Sequence, residues 1–268
     1  MKTMMTAFAA LTLVVGTAAC SEGADTEAAA ASTGTISGTW KADPSSAQAE
    51  NDERDFVLAN GEFTCNSCLP PYSYTANGEW QKVDRPGADE IMMEVVDDKT
   101  VKTAFRFEGR DLGNSTWTVS EDGNSMAQSF VNLDGDETTE GNLTLVRTAA
   151  GPEGSHAMSG KWTLGEYGEL SDAGLTFTYT LDGDTLSSTS NDGGWSAVLG
   201  GEPVAIEGSE SNTMVQVERT GDNSFRETYI RDGETIGVTD VTIDGNTANF
   251  VSVDPRDDSK FTFSATRQ

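Results

Sequence analysis

The sequence predicts an all-β protein built as two tandem antiparallel up-and-down β-barrels of about 110 residues each. Three observations carry that expectation. Beyond Ile36, apolar residues come in short bursts with a period of two, such as Ile91, Met93 and Val95, or Phe261 and Phe263. This is the spacing of strands with one buried face. Asn-Gly or Asp-Gly dipeptides punctuate the bursts at 60–61, 77–78, 122–123, 134–135, 182–183, 232–233 and 244–245; these residue types tolerate the positive φ angles that tight hairpins require. Finally, the chain repeats itself. Ser37-Gly38-Thr39-Trp40 returns as Ser159-Gly160-Lys161-Trp162, and residues 119–125 return as 241–247, both 122 positions later. A fixed period of this kind marks duplication of one structural unit.

Taken in chain order, residues 1–19 read as a secretory signal: Lys2, an apolar run from Met4 to Val15, then small residues up to Ala19. The run is too short for an independent membrane span. With Cys20 directly behind Thr17-Ala18-Ala19, the stretch resembles a bacterial lipoprotein signal. That resemblance implies that Cys20 is lipidated and becomes the first residue of the mature chain. Ser21 behind it, where inner-membrane retention would place Asp, implies an outer-membrane location, most simply facing the periplasm. Residues 20–35 are small, polar and free of aromatic residues, and read as a flexible spacer.

The first barrel is expected over 36–148 and the second over 158–268, joined by a linker at 149–157 that contains Gly151, Pro152 and Gly154. The alternation suggests seven or eight short strands per unit. Successive hairpins of this kind close most simply into a barrel, which leaves no exposed sheet edge.

Composition narrows the function classes. The chain has 17 basic and 44 acidic residues, a net charge of −27. This balance argues against nucleic acid and against docking on anionic head groups. It suits a solvated acidic surface.

Chemical motifs are sparse. Cys65-Asn66-Ser67-Cys68, followed by Leu69-Pro70-Pro71, is the sharpest. No βαβ context supports a thioredoxin-type centre, no second ligand pair supports zinc, and Leu69 stands where a haem attachment needs His. At the offset of 122 the two cysteines correspond to Ser187 and Ser190, so the second unit does without them. With Cys20 lipidated, Cys65 and Cys68 are left to form a small structural disulfide, with a redox role as the alternative. The acidic turns Asp134-Gly135-Asp136-Glu137 and Asp182-Gly183-Asp184 lack the ligand spacing of a calcium loop. The single histidine, His156, lies in the linker, which disfavours a Ser-His-Asp arrangement. No cofactor, metal or catalytic constellation is expected. Tyr74 and Trp195, at similar places in the two units, are read as core residues, with a ligand-stacking role at a barrel mouth as the alternative.

Gly38-x-Trp40 near the start of the first unit, together with Arg147 at its end, resembles the signature of lipocalins and related calycin barrels. The second unit repeats the set as Gly160-x-Trp162 and Arg267. The resemblance implies that each tryptophan plugs one end of its barrel while the arginine lies across the indole, a contact contributing about 0.5–2 kcal/mol. It also implies a non-catalytic envelope lipoprotein that binds a small apolar or amphipathic molecule inside its barrels. The alternative is a structural or protein-interaction lipoprotein with filled barrels; a thiol oxidoreductase using Cys65 and Cys68 ranks third.

Overall fold

The computed structural model describes residues 35–268. The signal, Cys20 and nearly all of the spacer lie outside the described residues. The fold is all-β, with two barrel-like antiparallel sheets of ten strands each. The opening strand, β1 (Gly38–Glu50), is followed by a continuous meander: β2 (Arg54–Ala59), β3 (Glu62–Cys65), β4 (Tyr72–Thr75), β5 (Gln81–Arg85), β6 (Ala88–Val95), β7 (Thr100–Phe107), β8 (Arg110–Val119), β9 (Ser125–Asn132), β10 (Thr139–Ala150) and β11 (Gly160–Leu170). One helical turn, α1 (Asp172–Leu175), leads into the second meander. This comprises β12 (Thr176–Asp182), β13 (Thr185–Ser190), β14 (Gly193–Val198), β15 (Val204–Ala205), β16 (Met214–Gly221), β17 (Ser224–Arg231), β18 (Glu234–Asp244), β19 (Thr247–Asp254) and β20 (Ser259–Arg267).

Each repeat supplies ten strands rather than seven or eight. The additional strands are the short ones, β3, β4, β5 and β15, of two to five residues each. Such segments are too brief to show a period. Ten staves are also two more than the eight of lipocalins.

The division between the barrels differs from the division between the repeats. The first sheet has the order β4-β3-β2-β11-β10-β9-β8-β7-β6-β5, so the meander from β2 to β11 closes on itself through the β2–β11 pair. The second sheet places β1 between β12 and β20. The first strand of each repeat therefore sits in the other repeat's barrel. Residues 149–157, expected to link two domains, instead form most of the hairpin loop between β10 and β11 inside the first barrel. The chain passes between barrels at 51–53 and again near α1. Sequence proximity explains the choice: β10 can pair with β11 through a nine-residue connection, whereas pairing it with β1 would close a loop of about ninety residues, which costs more chain entropy.

Alternation does the rest. In β16 Val215 and Val217 point inward, and in β20 Phe261, Phe263 and Ala265 do so, each at most 6% exposed. The Asn60-Gly61 and Asp232-Gly233 turns have positive φ at both residues, as hairpins of this kind need. The open seam between β4 and β5 is spanned by Gln81. Its Oε1 accepts from Thr75 N at 2.9 Å and its Nε2 donates to Thr75 O at 2.6 Å. In the second barrel Gly194 and Glu207 exchange two backbone hydrogen bonds across the same gap.

The two cores are separate, but Leu164 and Tyr167 on β11 pack against both. At this seam the buried Asp52 carboxylate accepts from the Thr163 hydroxyl and, at 2.9 Å, from Leu164 N.

Candidate functional site

The tryptophan–arginine pairs exist with exchanged partners. Arg147 lies 3.9 Å over Trp162, and Arg267 lies 4.2 Å over Trp40. The expected pairing of Trp40 with Arg147 and of Trp162 with Arg267 is thus corrected, for the reason given by the strand order: Trp40 travels with β1 into the second barrel. Both sites are otherwise alike. Each indole Nε1 donates at 2.9 Å to a carbonyl four residues back, Trp40 to Ile36 and Trp162 to Met158. Each guanidinium also caps the preceding loop, Arg147 through Ser159 O and Ala157 O at 2.6 Å, Arg267 through Ser37 O and Thr35 O. Gly38 and Gly160 are required by the same geometry. Both have positive φ, and a Cβ would stand 2.2 Å from Arg267 Nη1 or 2.6 Å from Arg147 Nη1. Both tryptophans are fully buried. Both sites are packed as core.

Cys65 and Cys68 form the expected disulfide, and both are at most 1% exposed. Asp55 contributes to the same loop: its backbone N–H donates to Ser67 Oγ at 2.9 Å and its carbonyl accepts from Asn66 N at 2.9 Å. Strand register refines the comparison between repeats. Phe56 opposes Cys65, which opposes Tyr72; Tyr179 opposes Ser188, which opposes Trp195. With Gly160 opposite Phe56 and Gly38 opposite Tyr179, Cys65 corresponds to Ser188 and Trp195 to Tyr72, so the sequence-based match of Trp195 with Tyr74 is corrected by two residues, to the next position on the same strand face.

Tyr74 is buried, stacked on Phe63 at 5.1 Å and on Tyr72 at 5.4 Å; burial pushes its hydroxyl pKa well up. Trp195 is buried with its ring edge-on to Tyr179 at 6.2 Å. Tyr74 also lines a cavity of about 20 Å³ in the first barrel, whose walls include Phe56, Tyr72, Thr103, Phe105 and Trp117. Space of this size admits one water, whereas a cavity that takes benzene measures about 150 Å³. One wall is unusual: Thr103 is 4% exposed and its hydroxyl has no hydrogen-bond partner.

The corresponding place in the second barrel contains a polar triad that sequence reasoning missed. Glu227 occupies the register position of Thr103, Tyr229 that of Phe105 and Tyr179 that of Phe56. Tyr179 donates to Glu227 Oε1 at 2.5 Å and Tyr229 to Oε2 at 2.7 Å. Burial raises the Glu227 pKa above the usual carboxylate value, although the two phenol donors pull it back down. Burial likewise holds both phenols well above their ordinary value. A signal was present: Glu227 falls at an inward position between Phe225 and Tyr229, where alternation calls for an apolar residue.

The remaining motifs are structural. His156 Nδ1 accepts from Met158 N at 3.1 Å, and Nε2, which must then carry the proton, faces Asp97 O at 2.7 Å. Asp134 pairs with Arg110 at 2.5 Å, and Arg110 reaches Glu210 of the second barrel at 2.8 Å. Among the described residues no three acidic, histidine or cysteine side chains are grouped to hold a metal ion, and no helix is long and apolar enough to cross a membrane. No protein-family model, curated protein or solved structure matches the chain.

Proposed function

We infer that the chain is a non-catalytic lipoprotein of the cell envelope whose two barrels are filled scaffolds, acting through their outer surface and the contacts it makes. The observation that carries this reading is the volume of the first barrel's cavity, about 20 Å³. That is too little for a ligand of several heavy atoms. At the equivalent place in the second barrel the side chains of Tyr179, Glu227 and Tyr229 are hydrogen-bonded to one another. Tethering rests on the Cys20 signal, and the outer-membrane, periplasm-facing location on Ser21. A thiol oxidoreductase finds little support, because a disulfide buried on both sulfurs is out of reach of an attacking thiolate.

Native mass spectrometry of protein extracted gently from its own membranes tests the reading. The expected spectrum shows the polypeptide with its acyl modification and no further mass, and Cys20→Ser should move the protein from the membrane to the soluble fraction. A retained small molecule would overturn the filled-barrel reading, and a Cys20→Ser protein that stays on the membrane would overturn the tether.

One observation favours a second reading, a small apolar ligand in the first barrel: the unpartnered Thr103 hydroxyl faces an aromatic cavity. Under that reading Thr103→Ile, which fills the space, abolishes retention of the ligand while preserving the fold.

A further inference from the structure

The two barrels treat one interior position in opposite ways. In the second, Glu227 holds a carboxylate between two phenols, those of Tyr179 and Tyr229. In the first, the register partners of these three are Thr103, Phe56 and Phe105, which bring neither phenol nor carboxylate. Two phenols return from another strand. Tyr72 and Tyr74 on β4, their rings stacked 5.4 Å apart, both line the cavity that Thr103 lines. The second barrel has Trp195 and Ala197 at their positions. The first barrel thus keeps a pair of interior phenols and lacks the carboxylate.

Two other groups at this place are left without a partner. Thr103 is 4% exposed, and its hydroxyl makes no hydrogen bond. Arg85 on β5 lies with its guanidinium 3.9 Å over the Tyr72 ring, and its buried Nη1 makes no hydrogen bond either. Among the described residues no carboxylate forms an ion pair with Arg85, although the chain has 44 acidic residues to supply one. Burial makes an unmade bond costly, and more so for a charged donor. Tyr72 is the wall that the cavity and Arg85 share. A water in the cavity would satisfy the hydroxyl and leave the guanidinium without a counter-charge.

We propose that the first barrel takes a small carboxylic acid in its anionic form, with Arg85 and Thr103 as donors to the carboxylate and a short apolar body among Phe56, Met93 and Trp117. The ligand then brings to the first barrel the group that Glu227 supplies in the second. This rests on the second reading above, a ligand in the first barrel, and names its chemistry. The cavity of about 20 Å³ restricts the body to very few carbon atoms, and even these require the wall at Tyr72 to shift. The seam permits that shift. β4 and β5 form no ladder with each other, and the two bonds from Gln81 to Thr75 are what ties them.

Calorimetric titration of the full chain in detergent tests the proposal, with propionate as the probe and propionamide as its neutral counterpart. Propionate should bind one to one, and propionamide about tenfold more weakly, since it forfeits a charge-assisted hydrogen bond. Arg85→Gln should bring propionate down to the level of propionamide and leave propionamide unchanged, which also verifies that the variant is folded. Thr103→Ile fills the cavity and should remove the binding of both. Equal affinities for acid and amide overturn the proposal, as does an Arg85→Gln protein that binds propionate like the parent; either result leaves a ligand in the first barrel standing. Propionate binding that survives Thr103→Ile places the anion outside the cavity and overturns the proposal too. Binding of neither probe also overturns it, whereas the reading beneath it falls separately, when native mass spectrometry finds no retained molecule.

Discussion

Gly38 and Gly160 set the tolerance of the two plugs, because the arginine that covers each indole also occupies the space of a missing Cβ. Gly38→Ala should push Arg267 off Trp40 and hold an alanine at a φ it rarely adopts; the combined cost is about 1–3 kcal/mol. Urea unfolding followed by intrinsic tryptophan fluorescence should show the midpoint falling, and an unchanged midpoint would mean that the close approach relaxes freely. Glu227 offers a second test at this scale. Its folded pKa is raised, so its contribution to stability is fully present below the unfolded carboxylate value and is lost as pH rises through the folded value. Glu227→Gln removes that titration. The variant should therefore show a flatter stability profile from about pH 4 upward, gaining on the parent as pH approaches neutrality. Glu227→Ala leaves two buried phenols without an acceptor, at about 1–3 kcal/mol each, and should be clearly destabilised. A parent and Gln variant with parallel pH profiles would show that Glu227 does not titrate between the folded and unfolded states.

β1 and β11 show where sequence reading stops. Alternation placed the inward residues, and the Asn-Gly and Asp-Gly turns marked the hairpins, because both are local properties of the backbone. The Ser-Gly-x-Trp motifs identified two plugs and the final arginines identified what covers them. None of these signals says which of two equivalent slots a strand enters, since β1 and β11 carry the same signature. The choice is made by loop-closure entropy across the whole chain. The Tyr179–Glu227–Tyr229 triad escaped for a different reason: alternation marks Glu227 as inward, but nothing local shows that two phenols converge on it, Tyr229 from its own strand and Tyr179 from β12. The exchange has a measurable consequence. Residues 54–170 contain all ten staves of the first barrel without help from β1. A chain lacking residues 1–50 should keep slow amide exchange in β6 to β10 while β12 and β20, deprived of their shared neighbour, exchange fast. Equal loss of protection in both barrels would show that the first barrel depends on the second.

At the scale of the molecule, the dominant quantity is the charge of −27. Many of the cations are already committed in pairs, such as Lys161 with Glu53 at 2.6 Å and Lys260 with Glu50 at 2.9 Å. Several of these pairs have a highly exposed member, Glu121 at 95% and Asp172 at 84% among them, and exposed pairs contribute only about 0–1 kcal/mol each. The uncompensated carboxylates repel one another across both barrels, and compactness increases that repulsion relative to the unfolded chain. Two opposing effects of salt follow. Added sodium chloride weakens the exposed pairs, a small loss, and screens the net repulsion, a larger gain at this charge; the Debye length falls from about 10 Å at 0.1 M to about 3 Å at 1 M. The second effect should win. Melting temperature at pH 7 should rise by several degrees between 0.05 M and 1 M sodium chloride. The specific hydration effects of the salt are separated by comparison with sucrose, which strengthens burial without screening charge. A melting temperature that falls with salt would mean that the paired charges outweigh the net repulsion.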